Sequence, residues 1–175
     1  MTRTSYPICA NMMALLAVVT VFPSLSVPLV KRIVFGGESA LDSKIAVRSF
    51  RYASGTALGG SSLGGLVTLH VGLTRPGVFG TLVAMSPSVW WDRRVILSTV
   101  RKTRPRPRVR VWVDMGTAEG RRALDDARLL KAALVGAGWT PGRDLRYAEY
   151  EGATHSEAAW AARFPAVVEW LYGET

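Results

Sequence analysis

The sequence predicts an α/β fold, a mostly parallel sheet with helices on both faces. Two observations carry this reading. From Thr56 onward, short apolar runs of strand length alternate with longer runs of helical periodicity, and strands separated by helices pair in parallel through crossovers, not as hairpins. The segment Gly60-Ser61-Ser62-Leu63-Gly64-Gly65 also stands where a strand would turn directly into a helix. It has the G-x-S-x-G pattern of a tight turn that exposes a serine hydroxyl at its apex. Small residues two before and two after Ser62 let strand and helix approach, a demand that Gly60 and Gly64 meet.

The elements follow in order. Thr56-Ala57-Leu58-Gly59 is compatible with a strand, and Leu63 to Arg75 is an apolar helical run stopped by Pro76. Val78 to Met85 reads as a strand, broken by Ser86-Pro87-Ser88 and followed by Val89-Trp90-Trp91. Asp92 is placed to cap a helix whose apolar positions are Val95, Ile96, Thr99 and Val100. Val109 to Met115 alternates as a strand and ends at Gly116. Leu124, Ala127, Leu130 and Leu134 then mark one face of a helix closed by Gly136 and Gly138. Leu145 to Tyr150 is a short strand. Glu157 to Tyr172 is a terminal helix with Trp160, Phe164, Val167, Val168 and Leu171 on its apolar face.

With 175 residues, 49% of them hydrophobic and six tryptophans among them, the chain is one globular domain with a real core. Its formal charge is +9. The arginines are spread over predicted helices and loops without interleaved aromatics, which argues for a solvated surface and against a nucleic-acid partner. The densest cluster, Arg101 to Arg108, is punctuated by prolines and reads as a stiff exposed connector. Cys9 is the single cysteine and there are two histidines, so an internal disulfide and a Cys- or His-rich metal centre are both excluded.

Residues 1–53 form an atypical apolar leader ahead of the 54–175 portion. Met12 to Phe22 is continuously apolar behind Arg3. It admits an export signal, a membrane span interrupted by Pro23 and Pro28, buried strand and helix, or an out-of-frame leader that does not belong to the ancestral sequence. The reading leans away from a signal and toward a cytoplasmic location. Leu29 to Phe35 reads as a strand running into Gly36-Gly37, where either an ordinary turn or an oxyanion-hole N–H is expected, the turn being favoured.

A serine hydroxyl becomes a useful nucleophile when an imidazole takes its proton and a carboxylate fixes the imidazole's tautomer. Loops at the carboxyl ends of two later strands supply both groups. Glu119 follows the strand that ends at Met115, and His155 follows the strand that ends at Tyr150. Active sites of parallel sheets collect at this end. Asp114, five residues before Glu119, is the alternative acid. His70 lies two turns along the helix that begins after Ser62 and cannot return to the serine hydroxyl.

Several separated stretches, in order, resemble the esterase D or enterochelin-esterase-like branch of the α/β-hydrolases. They are Gly60 to Leu66, Arg75-Pro76-Gly77-Val78-Phe79-Gly80, Ser86-Pro87-Ser88-Val89-Trp90-Trp91, Asp114 to Gly120, and Gly152 to Trp160. The resemblance runs from Thr56 to Thr175 and implies a truncated α/β-hydrolase-like sheet. It implies hydrolysis of a small-molecule carboxylic ester through an acyl-enzyme, without a metal or organic cofactor. On this likeness Ser62 is the nucleophile, His155 the base and Glu119 the acid. The Leu63 N–H is an oxyanion donor, and Trp90, Trp91 and Trp160 are candidates for the substrate pocket. Family members carry a much longer stretch before the serine turn, including the loop that gives a second oxyanion donor, and residues 1–53 do not resemble it. Loss of that donor would cost on the order of a hundredfold in turnover. The alternative expectation is a degenerate hydrolase acting as a binding module, self-associating through a sheet edge left open by the missing strands.

Overall fold

The computed structural model describes residues 16–21, 30–35 and 55–172, the first two segments as backbone only. Gly36, Gly37 and Cys9 lie outside the described residues, as does most of the leader. The strands are β1 (Leu16–Val21), β2 (Val30–Phe35), β3 (Thr56–Ser61), β4 (Thr81–Met85), β5 (Arg110–Gly116) and β6 (Leu145–Tyr150). Between and after them come the helices α1 (Leu63–Thr74), α2 (Trp91–Lys102), α3 (Arg121–Gly136) and α4 (Glu157–Tyr172), with a single 3₁₀ turn at Thr117–Glu119.

The sheet order is β2-β1-β3-β4-β5-β6. β3 to β6 are parallel neighbours, each pair separated in sequence by a helix. β1 runs antiparallel to both β2 and β3, pairing Leu16 with Gly60 and Thr20 with Thr56. Part of the apolar run from Met12 to Phe22 is therefore a sheet strand. The flank of β3 is paired with β1. Among the described residues no helix is long and apolar enough to cross a membrane.

Period-two alternation sorts the strand side chains onto two faces. Leu82, Ala84, Val111 and Val113 face α1, α2 and α3, whose Leu69, Ile96, Val100, Leu130 and Leu134 complete the larger core. Val83, Met85 and Trp112 face the other way and meet Trp160 and Val167 of α4. Trp170 of α4 packs at a tilt on Trp112, and Arg110 lies over the Trp170 ring while donating to its carbonyl. This second face is small, and Asp114 and Arg163 are buried beside it.

Several local expectations change. β4 begins at Thr81, because Arg75 to Gly80 is turn and loop. Asp92 makes no cap: it adopts a left-handed backbone with Arg93 and Arg94, and α2 becomes regular only after them. That shift turns Val95 outward at 44% exposure, while Ile96, Leu97 and Val100 are buried. On α4, Val168 is exposed and Arg163 takes an inward position at i+3 from Trp160. In the basic connector Arg106 is not solvated like its neighbours. It lies over the Trp139 ring and pairs with Asp144 at 3.1 Å.

The register of α2 has a direct test. Ile96→Ala should cost about 2–5 kcal/mol by leaving a cavity against the sheet. Val95→Ala should cost no more than about 0.5 kcal/mol, as at other exposed positions. Urea unfolding of the two variants measures the difference.

Candidate active site

Ser62 occupies the sharp corner between β3 and α1 at φ 56°, ψ −121°. A non-glycine residue held at positive φ carries strain that the surroundings must overcome. Two backbone bonds pin it there: the Ser62 N–H donates to the Met85 carbonyl at 3.0 Å, and the Ser88 N–H donates to the Ser62 carbonyl at 3.0 Å. Close approach is also enforced at Gly65, the residue after the motif. A methyl group there would stand 3.1–3.2 Å from the Gly60 and Met85 carbonyl oxygens and the Pro87 Cα. As the first residue of α1, Leu63 has an N–H with no carbonyl one turn back to bond.

His155 and Glu119 reach Ser62 from loops at the same edge of the sheet. The Ser62 hydroxyl is 3.0 Å from His155 Nε2. His155 Nδ1 is 2.6 Å from Glu119 Oε2. The serine is 3% exposed and the glutamate side chain 1%, whereas the imidazole is 43% exposed. The imidazole packs edge-on against the Trp160 indole, 4.9 Å between centroids. Its two nitrogens thus have different partners, a carboxylate that only accepts when ionised and a hydroxyl able to donate. With Nδ1 carrying the proton, Nε2 is the free base facing Ser62, the arrangement in which a hydroxyl can be deprotonated as it attacks.

The acid and histidine loops are joined to each other before either reaches the serine. The Ala118 N–H donates to the Ala153 carbonyl at 3.1 Å, and the Gly152 N–H donates to Thr117 Oγ1 at 2.9 Å. Gly116 lies so close to the histidine loop that an added Cβ would overlap the Ala153 carbonyl. Glu119 Oε1 accepts from the Gly116 N–H at 2.8 Å and from Ser86 Oγ at 2.6 Å. Burial alone would raise the Glu119 pKa, but the bonds from His155, Ser86 and Gly116 outweigh it and hold the carboxyl below its ordinary value of 4.5.

Asp114, weighed as an alternative acid, does not face the imidazole. Its carboxylate is fully buried and accepts from Trp112 Nε1 at 2.8 Å and the Ser86 N–H at 3.3 Å, with Arg163 3.5 Å away. Burial pushes its pKa up, opposed by Arg163, Trp112 and Ser86. His70 is exposed on α1 and takes no part. Trp160 is 6% exposed and packs against the imidazole. Trp90 and Trp91 are 46% and 47% exposed and stand together, 5.8 Å between ring centroids.

Sequence reasoning missed three neighbours of the site: Ser86, Ser88 and Arg163. Ser88 Oγ is 3.3 Å from Ser62 Oγ. Ser86 and Arg163 back Glu119, Arg163 NH1 lying 3.5 Å from its Oε1. The signals were present in the sequence. Ser86-Pro87-Ser88 follows a strand at the active edge, and an arginine at i+3 from Trp160 and i−4 from Val167 shares their helical stripe. Among the described residues no group of three or more His, Cys, Asp or Glu could hold a metal ion.

Two outcomes follow from this geometry. Because the folded Glu119 pKa lies below the unfolded value, the native state holds fewer protons than the unfolded chain across that interval. The contribution of Glu119 is therefore complete above the ordinary value of 4.5 and is lost as pH falls through the lower folded value. The stability gap between the wild type and Glu119→Gln should shrink on acidification below that point, read as melting temperature against pH. Gly116→Ala should destabilise the protein by about 1–3 kcal/mol through overpacking against backbone, measured by urea unfolding.

Known proteins share parts of this sequence and fold. The sequence is 49% identical to the siderophore enterobactin esterase of Emericella nidulans over 47 residues, 27% of this chain and 16% of that one. It is 28% identical to the uncharacterized protein YbbA of Bacillus subtilis over 122 residues, 66% of this chain and 48% of that one. Among solved structures, the enterobactin esterase FES from Shigella flexneri superposes with a TM-score of 0.58 at 22% identity, covering 69% of this chain and 32% of that one. The siderophore hydrolase EstA from Aspergillus nidulans gives 0.54 at 24% identity, covering 68% and 49%. The chain thus matches about half or less of the length of these relatives, and its α/β fold is theirs over the matched part. Residues 40–171, most of the chain, match the family model described as "Putative esterase", and the chain belongs to that esterase family.

Proposed function

We propose that the chain hydrolyses a carboxylic ester through an acyl-enzyme formed on Ser62. The observation that carries this reading is the continuous line from Ser62 Oγ through His155 to Glu119, with contacts of 3.0 and 2.6 Å. Ser62 Oγ attacks the ester carbonyl carbon while its proton passes to His155 Nε2. The imidazolium is stabilised by Glu119. The tetrahedral intermediate places its negative oxygen at the Leu63 N–H. Collapse breaks the bond to the alkoxy oxygen, which leaves as the alcohol with the proton from Nε2. Water then attacks the acyl-enzyme by the same route in reverse, releasing the acid and restoring the serine. Every step uses groups of this chain and water.

The names of the relatives support a siderophore-type ester as substrate. Trp90 and Trp91, two and three residues beyond Ser88, offer it an exposed aromatic wall. The degenerate-module reading is not favoured, since the imidazole lies within hydrogen-bond distance of both the hydroxyl and the carboxylate.

A fluorophosphonate probe should label the folded protein on Ser62, and Ser62→Ala should abolish labelling. His155→Ala should lower kcat on p-nitrophenyl acetate by about a thousandfold or more. A folded wild type that neither labels nor turns over would overturn the reading.

A further inference from the structure

Behind Glu119 the Ser86 hydroxyl has three neighbours, and their chemistry fixes its direction. Trp160 Nε1 lies 3.0 Å from Ser86 Oγ and Arg163 NH2 lies 2.8 Å from it. An indole N–H and a guanidinium can only donate. Both acceptor positions of the hydroxyl are therefore taken, and its one hydrogen goes to the remaining neighbour, Glu119 Oε1, at 2.6 Å. The same oxygen also accepts from the Gly116 N–H, which leaves Oε2 for His155 Nδ1.

We propose that Ser86 is a positioning residue for the reaction, with Arg163 and Trp160 setting the direction of its hydroxyl. A one-way line of donors then runs from α4 through Ser86 to the back of Glu119. The front of that carboxylate is left to hold the Nδ1 proton of His155. This inference rests on the roles given above to Glu119, His155 and Ser62.

The placement is built and not incidental. Ser86 is 1% exposed and held at φ 43° just past the end of β4, where its N–H donates to the Asp114 carbonyl at 2.9 Å. Arg163 is 4% exposed, and its charged neighbours are Asp114 and Glu119, each 3.5 Å away. Tyr150 of β6 lies beneath the guanidinium, 5.4 Å from its ring centre. Asp114 from β5, His155 from the loop before α4, and Arg163 and Trp160 from α4 are thus the charged and polar side chains around the Ser86–Glu119 bond. Arg163 Nε and NH1 are buried without hydrogen-bond partners, so the guanidinium's well-made bond is the one to Ser86.

Removing a donor from Glu119 makes its carboxylate more basic and tightens its hold on the protonated imidazole. The acid limb of the rate profile must then move to higher pH, because the histidine loses its proton later. On p-nitrophenyl acetate, Ser86→Ala should lower kcat by about 10- to 100-fold with KM within about twofold, in the range usual for partners that orient a reacting group. Its acid limb should rise by about half a pH unit. Arg163→Met should move the limb the same way, and Arg163→Lys, which keeps the charge and a donor, should restore it.

A Ser86→Ala enzyme with wild-type kcat and an unmoved limb overturns the inference while leaving the proposed reaction intact. The same holds if activity falls only in step with melting temperature and the limb stays in place. A wild type that fluorophosphonate does not label overturns both. Should Arg163→Met fail to fold, the Ser86→Ala profile decides alone.

Discussion

Parallel pairing of β3, β4, β5 and β6 is the constraint on which the rest depends. It lines up four carboxyl ends along one edge, so that residues distant in sequence emerge side by side. The serine leaves β3, Ser86 and Ser88 leave β4, Glu119 follows β5 and His155 follows β6. An antiparallel arrangement would send alternate loops to the opposite edge and separate acid from base. The helices needed to cross between parallel strands also build the core on which the strands lie.

The two faces of that sheet carry different loads. The face covered by α1, α2 and α3 is almost wholly aliphatic and supplies most of the burial. The face covered by α4 is narrower and holds Asp114, Arg163 and the underside of Glu119 against tryptophans. Buried charges are costly unless paired and hydrogen-bonded. For Asp114 and Arg163 the cost falls beside the serine edge, where it fixes side-chain direction, whereas Asp126, buried on α3, is paired with Arg94. The serine–histidine–glutamate line is therefore supported on one side by a polar layer and held in place by the apolar layer opposite.

Much of this was legible in the sequence for a physical reason. Strand alternation and helical stripes are imposed by burial, and they located β3, β5, β6 and all four helices within a few residues. The serine turn and the two loop residues could be read because parallel topology sends them to a common edge. What escaped depended on side-chain direction. Asp114 and Glu119 are both carboxylates near the end of β5, and only pleat parity, which turns Asp114 to the side of Trp112 and α4, separates them. Arg163 sat in an apolar stripe where its charge suggested solvent. The left-handed run at Asp92 to Arg94 rotated α2 and exposed Val95, a backbone choice that no periodicity encodes. Trp160 was a candidate for the pocket because an aromatic near a loop histidine suggests one, and its edge-on packing on the imidazole is a side-chain direction that the sequence does not carry.

The sequence distances within the hydrogen-bonded line have a kinetic meaning. His155 and Glu119 are 36 residues apart, whereas His155 and Ser62 are 93 apart. Taken as separate closures, the two loops differ by only about 1 kcal/mol in chain entropy. The imidazole–carboxylate pair and the two loops around Gly116 thus form a compact local unit that can assemble early. The serine corner, pinned to Met85 and Ser88 over still shorter separations in sequence, is a second local unit, and the contact of Ser62 with His155 joins the two.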